Sequence, residues 1–277
     1  MFYALLSLPS PPTPVFFEAG PLTVRYYGLL IVLGIIVGTW LTARQLASRG
    51  YDGVLALESL FFVVPLGVLG ARLYYVATEW GEQYASNPLP SVLKIWEGGV
   101  GAYGAVAGGF VGLLLFCRLR DISLLTFADA AAPGLVLAQA IGRWGNYSNQ
   151  ELFGGPTDLP WAVYIAPQNR PVQFADAMAF QPAFLYESLW DLLACLILLW
   201  VARRFAEQLK SGDIFLLYVV LYASGHFLVE TLRIHQVFLI WGSVSGELLL
   251  SGALAVGFAL LLLFRHPPSS RRRPAPD

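Results

Sequence analysis

Gly142-Arg143-Trp144-Gly145-Asn146-Tyr147-Ser148-Asn149-Gln150-Glu151 stands where an apolar run over 124–146 gives way to a polar loop. About 20 apolar residues suffice for a helix to cross a bilayer, so the run reads as a transmembrane span. Its end carries an arginine, two asparagines and a glutamate. An ionised side chain inside hydrocarbon costs ~3 kcal/mol or more, and a span that served only as an anchor would not collect them. Charge at this density on a bilayer edge points to a charged ligand, and a lipid head group is the natural one.

The rest of the chain repeats the apolar pattern. Of its 277 residues, 57% are hydrophobic and 13% charged, and the mean hydropathy is +0.62, which excludes a soluble domain. Apolar runs fall at 23–46, 54–77, 99–117, 124–146, 182–202, 213–233 and 240–264. The expected fold is an all-α integral membrane protein of about seven transmembrane helices, with an outward-facing loop or arm region between spans four and five. That region, 147–181, holds Gly154-Gly155-Pro156, Pro160, Pro167 and Pro171, and its apolar stretch Trp161–Ile165 is too short to span. The link at 79–97, with Asn87-Pro88 and Pro90, reads as a loop. The chain thus divides into an N-terminal segment (1–22), a seven-span domain (23–264) and a basic tail (265–277). The first twenty residues lack a basic start and a small-residue cleavage site, so no removable signal peptide is expected. Cys117 and Cys195 lie in separate apolar runs, away from any CxxC or Cys/His cluster, and read as buried fillers. With a net charge of −1, no nucleic-acid partner is implied.

Basic residues set the expected topology. If seven spans alternate, Arg44, Arg49, Arg118, Arg120, Arg203, Arg204, Lys210, Arg265 and Arg271 to Arg273 share one side. Arg25, Arg72, Lys94, Arg143, Arg170 and Arg233 lie in spans or opposite. The positive-inside rule then puts the C-terminus in the cytoplasm and the N-terminus outside, with the Arg143 end of span four facing outward.

Two spans carry polar faces that thicken toward that outer end. In span six, Tyr222, His226, Glu230 and Arg233 fall within an arc of about 80° at 100° per residue. In span four, Gln139, Arg143 and Asn146 share about 60°, with Asn149 and Glu151 just beyond. Arg143 paired with Glu151 or Glu230 would merely lock helices together; the convergence of polar groups from two spans points instead to a shared site, because an arginine grips phosphate through two parallel donors. Arg72 in span two reads either as part of this site or as a side chain snorkelling to the interface. Gly104, Gly108 and Gly112 recur every four residues in span three, a small-residue face suited to close helix packing. The Gly98-Gly99 pair before it can expose backbone amides to an anion. Tyr103 reads as an interfacial anchor or a site hydroxyl.

These motifs together resemble the prolipoprotein diacylglyceryl transferase family. The resemblance covers nearly the whole chain: Arg25-Tyr26-Tyr27-Gly28, Gly70-Ala71-Arg72-Leu73, Trp96-Glu97-Gly98-Gly99, the stretch 142–151, Pro182-Ala183-Phe184-Leu185-Tyr186-Glu187-Ser188, and Gly212-Asp213. It implies a bacterial inner-membrane enzyme that moves diacylglyceryl from phosphatidylglycerol to the lipobox cysteine of prolipoprotein precursors, without metal or other cofactor. Together with the polar faces it makes Arg143, His226, Glu230, Arg233 and Tyr103 the candidate catalytic residues. The candidate substrate-binding residues are Arg143, Asn146, Asn149, Glu151, Gly98, Gly104, Gly154, Tyr26, Tyr27, Arg72, Tyr222 and Glu187. Arg143 is expected to supply the main positive charge and Arg233 the next, with Glu151 and Glu230 orienting the arginines.

The chain departs from the family pattern where His226 replaces an arginine, where Tyr103 stands for a frequent histidine, and at Ser245–Ser251. These departures leave the general base unassigned and keep a non-catalytic lipid-binding relative open. A transporter is the other class considered; against it, the polar groups gather at one end of the spans and the halves show no repeat. No Gly-x-Ser-x-Gly, His-Glu-x-x-His or paired intramembrane aspartates suggest a protease.

Overall fold

A computed structural model of the chain describes residues 8, 13–20, 22–80, 99, 101–234, 239–241 and 244–266. Seven of its helices are long and apolar enough to cross a membrane. They are α1 (Tyr26–Ala47), α2 (Val54–Thr78), α3 (Ala102–Leu119), α4 (Leu124–Asn149), α5 (Ala183–Arg204), α6 (Asp213–Glu230) and α7 (Gly246–Arg265). Every apolar run is therefore a helix, and the protein is a mostly helical, multi-pass membrane protein. Most of the link at 79–97, with Lys94, together with Gly98 and the arginines at 271–273, lies outside the described residues.

Where helix ends differ from the apolar runs, the causes are local. Leu22–Arg25 (β2) pairs antiparallel with Val15–Ala19 (β1), so α1 starts only at Tyr26. Leu239–Trp241 (β5) and Val244–Ser245 (β6) form a second hairpin. There Ser245 caps α7 by accepting the Leu248 amide at 3.0 Å, which delays that helix to Gly246. Helix α6 stops at Glu230, because the chain then turns and the Leu232 carbonyl accepts the Gly155 amide at 3.0 Å. Arg233, expected on the helical face of span six, thus lies beyond the helix.

The chain forms two compact units, one being Thr39–Ala131 and the other the residues before and after it. In the first, Leu46, Ala56, Phe116, Cys117, Ile122, Phe127 and Ala130 make a hydrophobic core. Helices α2 and α3 cross there on the glycine face. A Cβ at Gly104 would strike the Gly70 carbonyl, one at Gly108 the Leu66 carbonyl and one at Gly112 the Phe62 carbonyl. Backbone against backbone at this range admits only glycine, which accounts for the four-residue repeat.

The second unit carries the polar residues of interest. Along α4 and the first half of α1 the approach is again close: a Cβ at Gly38 would stand 2.8 Å from the Gly134 carbonyl oxygen. Trp190 of α5 seats on Gly225 of α6 and donates its indole N–H to the Leu221 carbonyl at 2.7 Å. At the Asp213 end of α6, the aspartate lies 2.9 Å from Arg265 Nε and 2.7 Å from His266 Nε2, joining α6 to the end of α7. The arm between α4 and α5 is folded: Val163–Tyr164 (β3) pairs with Ala179–Phe180 (β4) over a core of Phe153, Val163, Ile165, Phe180 and Phe184. Gln150 braces it, its Oε1 accepting from the Ala166 amide at 2.7 Å and from Asn169 Nδ2 at 3.1 Å. Cys117 and Cys195 are free and buried, as expected of fillers.

Candidate active site

Arg143 near the end of α4, Glu187 in the second turn of α5, and Tyr222 and His226 on α6 come together in the second unit. Glu187 is their common partner and is 4% exposed. Its Oε2 lies 3.1 Å from Arg143 Nε and accepts Arg233 Nη2 at 2.8 Å, while Oε1 lies 3.0 Å from His226 Nδ1. Arg233 also donates Nη1 to Glu230 Oε2 at 3.1 Å, and Glu230 Oε1 accepts from Ser245 Oγ at 3.1 Å. A connected network therefore runs from the cap of α7 through the end of α6 to α5 and α4. Buried charges persist only when paired and hydrogen-bonded, and each carboxylate here meets guanidinium donors.

The two arginines are not equivalent. Both terminal nitrogens of Arg233 rest on carboxylates and its side chain is 3% exposed. Arg143 spends Nε on Glu187 and donates Nη2 to the Tyr222 hydroxyl at 3.2 Å. Its Nη1 has no partner among the described residues, and its side chain is 15% exposed. Arg143 is thus fixed along one edge and open at its tip. Arg233 is a strut, although the sequence reading ranked it as the second source of free positive charge.

Arg143 pairs with neither Glu151 nor Glu230, so it is not the simple helix-locking pair weighed as the alternative. Gln150 takes a left-handed backbone conformation (φ 54°) just after α4, and the chain turns there. Glu151 Oε1 accepts instead from Asn146 Nδ2 at 2.9 Å and Asn149 Nδ2 at 3.3 Å. It orients the asparagines, while Glu187 orients the arginines.

The other expected site residues fall as follows. The Tyr27 ring lies against Gly145, where a Cβ would strike it, and Tyr26 packs edge-on to Phe16 at 5.3 Å. Gly154 sits where a Cβ would come within 2.9 Å of both Gln181 Cβ and the Leu232 carbonyl oxygen, so its lack of a side chain lets the arm meet the chain after α6. Arg72, Tyr103 and Gly104 belong to the unit Thr39–Ala131. There Arg72 is buried and donates to the Gly99 carbonyl at 2.8 Å instead of snorkelling. The Tyr103 ring lies 6.0 Å from Tyr74, and Gly98 lies outside the described residues.

Sequence reasoning missed Tyr218, Ser188 and Ser245. Tyr218 stacks on Tyr222 at 5.9 Å and donates to Gln139 Oε1 at 3.2 Å, extending the α6 polar face by one turn. Its position four residues before Tyr222 was the available signal. Ser188 bridges helices by accepting from Trp144 Nε1 at 3.2 Å and donating to the Ala140 carbonyl at 2.9 Å. Ser245 could have been found as the cap residue opening an apolar run. Among the described residues, His226, Glu230 and Glu247 place donor atoms within 4.8 Å of one another, the spacing a cation would need. Both Glu230 oxygens are already engaged, so the group is a hydrogen-bonded network and not an open ligand set.

The family model for prolipoprotein diacylglyceryl transferase matches residues 14–264. The chain belongs to that family. Three relatives carry the name phosphatidylglycerol–prolipoprotein diacylglyceryl transferase. The one from Paenarthrobacter aurescens is 42% identical over 269 residues, covering 94% of this chain and 84% of the relative. That from Frankia alni is 45% identical over 265 residues, with 95% and 68% covered. That from Parasynechococcus marenigrum is 46% identical over 226 residues, with 80% and 81% covered. Membership makes the chain a transferase of the membrane, and the network around Glu187 joins charged side chains of α4, α5 and α6.

Proposed function

We propose that this protein transfers the diacylglyceryl group of phosphatidylglycerol to the thiol of the lipobox cysteine in prolipoproteins, forming a thioether and releasing glycerol phosphate. The names of its relatives support the substrates, and the geometry of Arg143 carries the reading of the site. A guanidinium held by Glu187 and Tyr222, with one terminal nitrogen unclaimed among the described residues, is prepared to receive a phosphate oxygen.

The reaction is a displacement at carbon, and the nucleophile arrives with the substrate. No serine or cysteine of the protein need attack, in keeping with the burial of Cys117 and Cys195. Two tasks remain. A thiol of ordinary pKa near ~8.5 is only a few per cent ionised at neutral pH, so the thiolate must be favoured. The departing phosphate gains charge as the C–O bond breaks, and a fixed cation stabilises it most where water is excluded. Arg143 serves the second task. Glu187 and Tyr222 hold its plane, Arg233 and Glu230 brace Glu187, and Asn146 and Asn149, both donating to Glu151, stand farther along α4 as candidate donors to the lipid head group. The distribution of basic residues supports an external N-terminus and a cytoplasmic C-terminus, with the site at the external end of α4.

The test follows the mass of a lipobox peptide incubated with the purified protein and phosphatidylglycerol. A gain of one diacylglyceryl group, abolished in Arg143→Ala while the variant still inserts, is the expected result. Lipid binding without any gain in mass would overturn the proposal in favour of a lipid-binding relative.

A further inference from the structure

His226 is held for a different task from the arginines beside it. Its Nδ1 lies 3.0 Å from Glu187 Oε1, and a carboxylate can only accept, so the ring proton sits on Nδ1. That leaves the lone pair of the neutral ring on Nε2. Among the described residues, Glu247 Oε2 lies 3.9 Å from Nε2, beyond hydrogen-bond range. Charged groups approach the ring from three helices: Glu187 from α5, Glu230 from α6 and Glu247 from α7. Tyr222 stacks against the imidazole at 6.1 Å and 12°, which holds its plane. The side chain is 18% exposed, so the ring is only partly covered.

We infer that His226 Nε2 is the base that takes the proton from the substrate thiol, with Glu187 as the positioning residue that fixes its tautomer and Glu247 as the proton's way out. The inference rests on the transferase reading above. The S–H bond breaks with its proton going to Nε2. The sulfur electron pair forms the new C–S bond at the glyceryl carbon. The C–O bond to phosphate breaks with its pair staying on the phosphate, which leaves beside Arg143. The imidazolium then passes its proton by way of Glu247, whose side chain is 40% exposed, to water or to the departing phosphate. An imidazole gains and loses a proton near neutrality, whereas an arginine at this position would stay charged and could only attract the thiolate.

The test compares two lipobox peptides, one with cysteine and one with selenocysteine, whose selenol is already ionised at neutral pH and needs no base. In His226→Gln, transfer to the cysteine peptide is expected to fall about 100-fold, the usual scale of general-base catalysis, while transfer to the selenocysteine peptide falls only a few-fold. Equal losses on both peptides would overturn the inference, since a structural or phosphate-binding role does not distinguish sulfur from selenium. So would full activity of His226→Arg on the cysteine peptide. For Glu187, nitrogen-15 spectra of histidine-labelled protein should show His226 as the Nδ1–H tautomer, lost in Glu187→Ala; the Nε2–H form in the unaltered protein would overturn the assignment. Transfer to neither peptide by the unaltered protein would remove the transferase reading itself, and this inference with it.

Discussion

Glu187 receives three basic side chains on two oxygens, and this makes it the most sensitive single residue of the network. Removing one member of a buried ion cluster leaves the others desolvated and unpaired. Glu187→Ala is therefore expected to cost about 3–5 kcal/mol, seen as a lower melting temperature in detergent and loss of transfer. Glu187→Gln keeps shape and one acceptor, so its loss of stability should be clearly smaller; equal losses would mean that packing, not charge, dominates here. Tyr222→Phe makes a finer probe, since it removes only the acceptor of Arg143 Nη2. Its kcat/KM should fall about tenfold, the equivalent of one hydrogen bond to a charged group at about 1.5 kcal/mol, with the melting temperature little changed. Arg143 and His226 were legible in the sequence because charge within an apolar run is conspicuous. Glu187 was named as a site residue through the family resemblance, but its place as their common partner was not legible, because it lies 44 residues from Arg143 by number (187 − 143) and only the fold brings them together.

The helices were legible almost to their ends, because a bilayer demands a fixed length of apolar residues whatever the neighbours do. The ends were less so, because capping and hairpin pairing depend on short-range hydrogen bonds that hydropathy does not register. Ser245 illustrates this: it caps α7 and also donates to Glu230, so a helix start and the charged network share one hydroxyl. Ser245→Ala should cost about 1–2 kcal/mol from the lost cap and leave a Glu230 oxygen without its donor. Thermal melts would register the first effect, and a fall in transfer beyond that of an exposed cap variant would register the second. At α2 and α3 the glycine face was read correctly as packing. Gly108→Leu is expected to force those helices apart and to reduce the amount of folded protein recovered from membranes, while Gly257→Leu should be tolerated, since nothing lies within 4 Å of a Cβ there.

At the scale of the molecule, the direction in which the chain faces decides where the site can meet its substrates, and α5 offers the cleanest test. It is a single apolar helix joining the folded arm, 150–182, to the turn at 205–212. If α5 crosses the bilayer once, those two segments lie on opposite sides. Arg143, Glu187 and the chain at Arg233 all stand at the arm's end of their helices, with the arm bridged to Arg233 through Gly154. Arg203, Arg204, Lys210 and Arg265 gather at the other end, where Asp213 ties Arg265 to the start of α6. Because basic residues tend to be retained on the cytoplasmic side, the orientation proposed above puts the arm and the network outside. Both native cysteines are buried, which leaves the chain ready for labelling at introduced sites. In spheroplasts, a membrane-impermeant maleimide should react with Asp158→Cys in the arm at once, and with Glu207→Cys only after the membrane is opened. The reverse pattern would invert the orientation and put the site in the cytoplasm, where precursors awaiting export would have to be modified before crossing. Labelling of both from outside would mean that α5 does not cross at all.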